Sequence, residues 1–307
     1  MDKTKKGMAL FITLLIIASI LTIVAISFSY LEKAQNDANE ASSLIQGNLL
    51  YKNTTNILKR IFPKGEVDSK KLDILYTIPM ILSEEKSGFM VTLQCNPLMV
   101  GVPIQWLDEE KTKEIPAKYE LARKVLTYIL EKFEVKEASK LEQLILSETT
   151  GLQEYSSDFE PRIVPKRGIF SRRQFDRILL EYRMKYDDIS VFKVPWEKFF
   201  VFIKLSKTAK IDGEYLSREL ISAAFGIPLD IVKDSWITDA KQGEKQTLQV
   251  FLSENGASDV ADKKLFSDKG LNAMHCEETY AYRDNHYRFS FDYAEERNAN
   301  FEFYEKI

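Results

Sequence analysis

Hydrophobic and polar positions divide the chain into stretches of different period. Residues 8–30 form an apolar run with no charge, proline or glycine. At about 1.5 Å per residue a helix of this length covers roughly 35 Å, enough for a bilayer hydrocarbon core of about 30 Å. Beyond it Leu31, Ala34, Ala38, Ala41 and Ile45 recur near the heptad period of about 3.5 residues, so the helix is expected to continue with a stripe of mostly small residues. Leu49, Leu50, Ile57, Leu58, Ile61 and Phe62 are bulkier and are expected to pack on the protein's own sheet. Pro63-Lys64-Gly65 is expected to end the helix.

Residues 72–82 and 89–93 read as a strand pair around a polar turn at 83–88, with Pro79 making the first strand an edge or splitting it. Helical periods then take over. The spacing predicts helices at 116–135, 138–146 and 171–186, the last opened by Ser171 as N-cap, and shorter helices at 215–224 and 228–236. Strand character returns at 247–252, 279–282, 287–291 and 301–304, where aromatic and polar residues alternate as they do on a sheet with one buried face. The expected class is α+β, with an antiparallel sheet begun before a helical insert and completed after it.

Charge orients the apolar run. Lys3, Lys5 and Lys6 precede it, whereas Glu32, Asp37 and Glu40 follow with Lys33 alone among them, which puts the N-terminus in the cytoplasm and the bulk of the chain across the membrane. A cleaved secretory signal is a poor fit: its apolar region is usually about 7–15 residues and ends at a small-x-small site. The basic leader ending in Gly7, followed at once by Met8-Ala9-Leu10-Phe11-Ile12-Thr13-Leu14-Leu15, resembles the prepilin signal of the type IV pilin and pseudopilin superfamily. That resemblance implies cleavage between Gly7 and Met8 by a prepilin peptidase, methylation of the new N-terminus, and retention of the anchor in a bacterial inner membrane with the rest in the periplasm. A plain bitopic anchor with a helical stalk, serving a scaffold or sensor, is the alternative reading of the same pattern.

One position departs from the pilin pattern. The fifth residue of the mature chain is a glutamate in most pilins and here is Ile12. A carboxylate in the apolar core costs about 2.5–3.5 kcal/mol on insertion scales and is kept where a partner compensates it. A subunit with no subunit ahead of it has no such partner, so Ile12 marks a tip position. In lacking this glutamate, and in its order of helix, first strands, large helical insert and remaining strands, the chain resembles the K-type minor pseudopilins of type II secretion, the general secretion pathway protein K family. The tracts Gly168-Ile169-Phe170-Ser171-Arg172-Arg173-Gln174 and Lys207-Thr208-Ala209-Lys210-Ile211-Asp212 are weaker echoes of that family, the second without its asparagines. The resemblance implies a type IV pilin-like fold divided into a leader at 1–7, an N-terminal helix at 8–62 with residues 8–30 in the membrane, a sheet domain from 63–115 and 241–307, and a helical domain at 116–240. The implied partners are other minor and major pseudopilins, the prepilin peptidase and the inner-membrane secretion platform. A minor pilin of a type IV pilus or DNA-uptake system has the same pattern.

Composition narrows the chemistry. At 307 residues the chain is long for a single pilin domain, and its net charge of −3 includes a leader of +2 from Lys3, Lys5 and Lys6 against Asp2, so the processed chain carries −5. That argues against a polyanion such as nucleic acid as the main partner, which wants a basic face. In an oxidising compartment Cys95 and Cys276 read either as a disulfide or as two unpaired thiols. His275, Cys276, Glu277 and His286 suggest a metal or Cys/His pair, but neighbours on a strand point to opposite faces and a zinc ion wants about four converging ligands. Glu254, Asp259, Asp262 and Asp268 gather in a loop expected between two strands. Pseudopilins often pin such a loop with calcium, which takes several oxygen ligands; without EF-hand spacing the loop also reads as simply solvated. No phosphate loop, Gly-x-Ser-x-Gly elbow or HExxH motif is present, so the expected role is assembly without catalysis or a required cofactor.

Overall fold

The computed structural model describes residues 3–62, 69–84, 89–151, 168–237, 246–257, 262, 264–282, 285–294 and 297–304. Met1–Asn56 and Ile57–Ile307 form two compact units. Helix α1, Lys3–Ile61, takes in the described residues of the first and the opening residues of the second. Residues 11–38 are exposed along it, including every large apolar side chain from Phe11 to Leu31. The hydroxyls of Ser19, Thr22 and Ser27 donate to the carbonyls of Leu15, Ala18 and Ile23 four residues back at 2.8–2.9 Å. Polar atoms are thereby satisfied within the helix, as an apolar surrounding requires. The bulky set at the end of α1 divides: Leu58 and Phe62 are buried, but Leu49, Ile57 and Ile61 remain 44–50% exposed. Only one side of the helix is used by the chain's own core, because side chains separated by one residue point about 100° apart.

Residues 72–77, expected as the start of a strand, lie instead in helix α2, Ser69–Thr77. Leu72 and Leu75 are buried while Ile74 and Ile78 are exposed, which is the helical rather than the alternating period. The chain becomes extended at Pro79, where proline disfavours helix in the residue before it, and enters β1, Met80–Glu84. Strand β2, Phe89–Pro97, pairs antiparallel with β1.

From there the chain leaves the sheet. A two-residue strand, β3 at Val102–Pro103, and a 3-10 turn at Ile104–Leu107 lead to α3, Glu109–Thr112, α4, Pro116–Lys132, and α5, Ala138–Thr150. Helix α6, Arg172–Tyr186, begins as expected with the Ser171 hydroxyl accepting from Gln174 N, while the Gln174 side chain reaches back to Phe170 N. Strand β4, Phe200–Val201, pairs in parallel with β3. Gly101 permits this approach, since a Cβ there would lie 2.9 Å from the Phe199 carbonyl. Helices α7, Arg218–Phe225, and α8, Leu229–Ser235, follow. One apolar cluster runs through this region and includes Trp106, Trp196 and Trp236.

Residues 247–252, expected as a strand, instead begin a helix, α9, Leu248–Glu254, capped by the Thr247 hydroxyl. Leu248, Phe251 and Leu252 are buried at the i, i+3, i+4 spacing of a helix face. Three strands complete the sheet: β5, Ala273–Tyr282, β6, Asn285–Ala294, and β7, Arg297–Tyr304. Their order is β1-β2-β5-β6-β7, all antiparallel, so β2 and β5 are neighbours although the helices lie between them in sequence. Met274, Cys276, Tyr280, Tyr287, Phe289, Phe291 and Tyr293 are buried at alternate positions of β5 and β6.

Candidate functional site

Gly7 and Met8 fall within the backbone of α1, with no break at the expected cleavage position. Ile12 is 48% exposed and stands in a row of exposed apolar residues. Among the described residues one helix is long and apolar enough to cross a membrane: Phe11–Ile61 reaches a mean hydropathy of 2.7 over its most apolar window.

Cys95 and Cys276 face each other across β2 and β5 and are joined as a disulfide, with S–S 2.02 Å and Cα–Cα 4.1 Å. Both are fully buried. With its sulfur committed, Cys276 offers no thiol to His275. The histidine points the other way: its Nδ1 is 2.7 Å from Asp292 Oδ1, and that hydrogen bond raises the imidazole pKa. Asp292 Oδ2 also accepts from Asn300 Nδ2 at 2.6 Å, and the same amide group donates to Phe202 O at 3.1 Å, linking β5, β6 and β7 to the chain beyond β4. His286 is exposed at the start of β6.

Among the described residues, Glu254, Asp262 and Asp268 do not converge on one site with a third acid or other metal ligand. Their loop joins α9 to β5 rather than two strands. Glu254 ends α9, Asp262 accepts from Lys264 N at 2.8 Å through its side chain, and Asp268 lies in the approach to β5; Asp259 is outside the described residues. Among the described residues no group of three or more His, Cys, Asp or Glu converges as a metal site.

No protein-family model and no curated protein matches the chain. Among solved structures, it is similar to a chain of the GspK-GspI-GspJ complex of the enterotoxigenic Escherichia coli type 2 secretion system. The TM-score is 0.55 at 10% identity, over 87% of this chain and 99% of that one. The fold is pseudopilin-like. At that identity the likeness is one of backbone architecture.

Within this pseudopilin-like fold several charged residues are buried, Asp212 and Lys118 among them. Asp212 has no solvent exposure. Its Oδ1 accepts from Glu214 N at 2.9 Å and Tyr215 N at 3.2 Å, and its Oδ2 from Leu271 N at 2.7 Å, so one carboxylate fastens the segment before α7 to the segment before β5. Burial pushes its pKa up to about 7. Beside it the Tyr215 hydroxyl donates to Asp73 Oδ1 at 2.7 Å, and the Tyr76 and Tyr215 rings meet edge to face at 5.1 Å. Lys118, 2% exposed, donates to Lys207 O at 2.6 Å and Ala209 O at 2.8 Å, with its ammonium 4.7 Å from the Trp106 ring centre. Asp212 was visible only as the last residue of a turn-like tract, and Lys118 as one more polar position in an amphipathic helix. Neither type is often fully buried, and no local signal marks the exception.

Proposed function

We propose that the chain is a minor pseudopilin of a type II secretion system that helps to nucleate and cap the tip of a short periplasmic pseudopilus. The observation that carries this reading is the position of the helical region, which leaves and re-enters one antiparallel sheet between neighbouring strands β2 and β5, behind an exposed apolar N-terminal helix. A prepilin peptidase would remove residues 1–7, and the retained helix would lie in the inner membrane with its N-terminus on the cytoplasmic side. There it packs beside the anchors of other minor and major pseudopilins, where small residues and close van der Waals contact drive association. Exposure of the apolar side chains from Phe11 to Leu31 supports this role, since nothing among the described residues covers them. The bulky helical region would block addition of a further subunit ahead of this one, and Ile12, in place of a carboxylate needing a partner, suits a leading position. The role is mechanical, without catalysis or an obligatory cofactor.

N-terminal mass spectrometry of the chain purified from membranes tests the reading. The expected product begins at a methylated Met8, and Gly7→Leu retains the leader. A native chain that still carries residues 1–7 would sink the proposal. Co-purification with secretin-linked pseudopilins supports the secretion role, whereas capture with adhesive pili assigns the subunit to a type IV pilus.

A further inference from the structure

The five-stranded sheet ends on β1 at one side and on β7 at the other, and the two edges are built differently. Strand β7 carries an extra residue between Ala299 and Glu302, with Asn300 in the left-handed region at φ 50°, so its ladder is interrupted there. Arg173 of α6 also forms an ion pair with Glu302 at 3.0 Å. Bulges and charges of this kind keep a sheet edge from pairing with another chain. Strand β1 has neither. Its five residues pair with β2 in unbroken register, and residues 80–83 hold no charge. Among the described residues no strand lies on its outer side.

The register of the disulfide shows which backbone groups of β1 face outward. In an antiparallel ladder, opposite residues alternate between hydrogen-bonded pairs, with Cα atoms about 5.5 Å apart, and non-hydrogen-bonded pairs, about 4.5 Å apart. Cys95 and Cys276 stand opposite each other with Cα–Cα 4.1 Å, so theirs is a non-hydrogen-bonded pair and the N–H and C=O of Cys95 turn away from β5. At steps of two the same holds for Leu93, Val91 and Phe89, whose groups meet those of Met80, Leu82 and Glu84 in β1. The N–H and C=O groups of Ile81 and Ser83 therefore point away from the sheet. The surface beside them is apolar: Ile81 is 63% exposed, and Met90, a diagonal step away on the same face of β2, is 45% exposed. Ile74 and Ile78, just before the strand, are exposed as well.

We propose that β1 pairs antiparallel with β1 of a second copy of this chain, about a two-fold axis through Leu82. A row of backbone donors and acceptors on a sheet edge is completed by an extended strand, and β1 is itself a match for its own edge. In this register Ile81 of each copy stands opposite Ser83 of the other, and the outward groups of both residues on both chains are hydrogen-bonded. Centring the pair on Ile81 instead would set Ser83 against Pro79, which has no N–H to give. With Leu82 at the centre, the two Ile81 residues become diagonal neighbours on one face, and Glu84 stands opposite Met80 rather than another acid. The same patch serves both partners, as a closed two-fold dimer requires.

Sedimentation velocity of the full-length chain in detergent micelles, from about 1 to about 100 μM, tests the pairing, and a dimer is expected to form in this range. Ser83→Pro removes one outward N–H and leaves the bonds to β2 in place, whereas Ile81→Lys sets a charge on the edge. Each is expected to raise the dissociation constant at least about tenfold without moving the melting temperature. Register is read from Leu82→Cys treated with diamide: Cys95 and Cys276 are already joined, so the new thiol is the free one, and it is expected to cross-link two chains where Ile81→Cys does so far less. A chain that stays monomeric at about 100 μM, or a dimer unmoved by Ser83→Pro or by Ile81→Lys, overturns the proposal. Stronger cross-linking from Ile81→Cys than from Leu82→Cys overturns the register. A monomeric chain that loses a different protein on Ser83→Pro assigns the edge to that protein's strand and overturns the second copy as occupant. The pairing is read on this chain alone, so its outcome is separate from that of the role proposed above.

Discussion

The sheet and the helical region both bury aromatic side chains, but they hold them by different means. In the helical region the side chains interlock around two deeply buried indoles. Trp196 packs against Phe175 at 5.0 Å with its Nε1 donating to Val191 O, and Trp236 packs against Phe251 at 5.3 Å with its Nε1 donating to Leu216 O. In the sheet the aromatics follow strand register, Tyr280 opposite Tyr287 at 5.5 Å and Phe289 beside Phe301 at 5.5 Å. Helical turns form from near neighbours in the chain, whereas β2 and β5 meet only after the whole helical region has been looped out. That closure costs entropy, and the Cys95–Cys276 bond, across a separation of 181 residues, lies at this point. The difference teaches where each region is vulnerable: the helices to loss of packing, the sheet to loss of closure.

The largest effect should come from the packing side. Trp196→Ala removes a fully buried indole and is expected to cost about 3–5 kcal/mol in a urea titration of the chain in micelles. If helical circular dichroism and sheet aromatic signals move together, the two regions unfold as one; a shift confined to the helical signal separates them.

Closure is tested by Cys95→Ala with Cys276→Ala, which should cost about 2–5 kcal/mol. A loss no greater than that of a single cavity in the helical core, with refolding unaffected, would contradict the view that the sheet depends on closing a long loop.

Asp212 joins the two sides, and its replacement by alanine leaves the N–H groups of Glu214, Tyr215 and Leu271 without their acceptor, costing at least about 1–3 kcal/mol. Its pH signature has a definite sign. Burial raises the folded-state pKa to about 7 from 3.8, so between these values the folded chain keeps a proton that the unfolded chain has released. Stability therefore falls as pH rises through that window, and Asp212→Ala should flatten the melting-temperature profile there.

The smallest effect belongs to His275. Its pKa is raised by Asp292, so the stabilisation is full below the ordinary value of 6.5 and is lost as pH rises through the folded-state value. The side chain is 45% exposed, and solvent screening limits the loss in His275→Gln to a few tenths up to about 1 kcal/mol. Melting temperatures of the two variants between about pH 5 and pH 9 separate this upper window from that of Asp212.

The elements that were legible in the sequence are those defined by neighbours. Helices near 116–132, 138–150 and 172–186 follow from periodic apolar positions, and Ser171 announces the start of the third by a hydrogen bond three residues long. The split sheet was legible as alternation on either side of a helical stretch. Residues 72–77 and 247–252 read as strands because a short apolar run with branched residues suits both periods, and only the buried surface chooses between them. Of the candidate site, the long apolar helix could be read directly. The tie between β2 and β5 could be named only as one of two options, and the burial of Asp212, Lys118 and Asp292 left no trace in composition.

By itself, then, the sequence determined the apolar length of α1, the Ser171 helix cap and the alternation of the last strands, because each depends on residues within a few positions of one another. Tertiary structure decided that Cys95 meets Cys276, that Leu58 and Phe62 turn inward while Ile57 and Ile61 stay exposed, and that a lone aspartate fastens two distant segments. Those outcomes depend on register and on which surface remains for each side chain to cover, and both are set only when segments far apart in the chain come together.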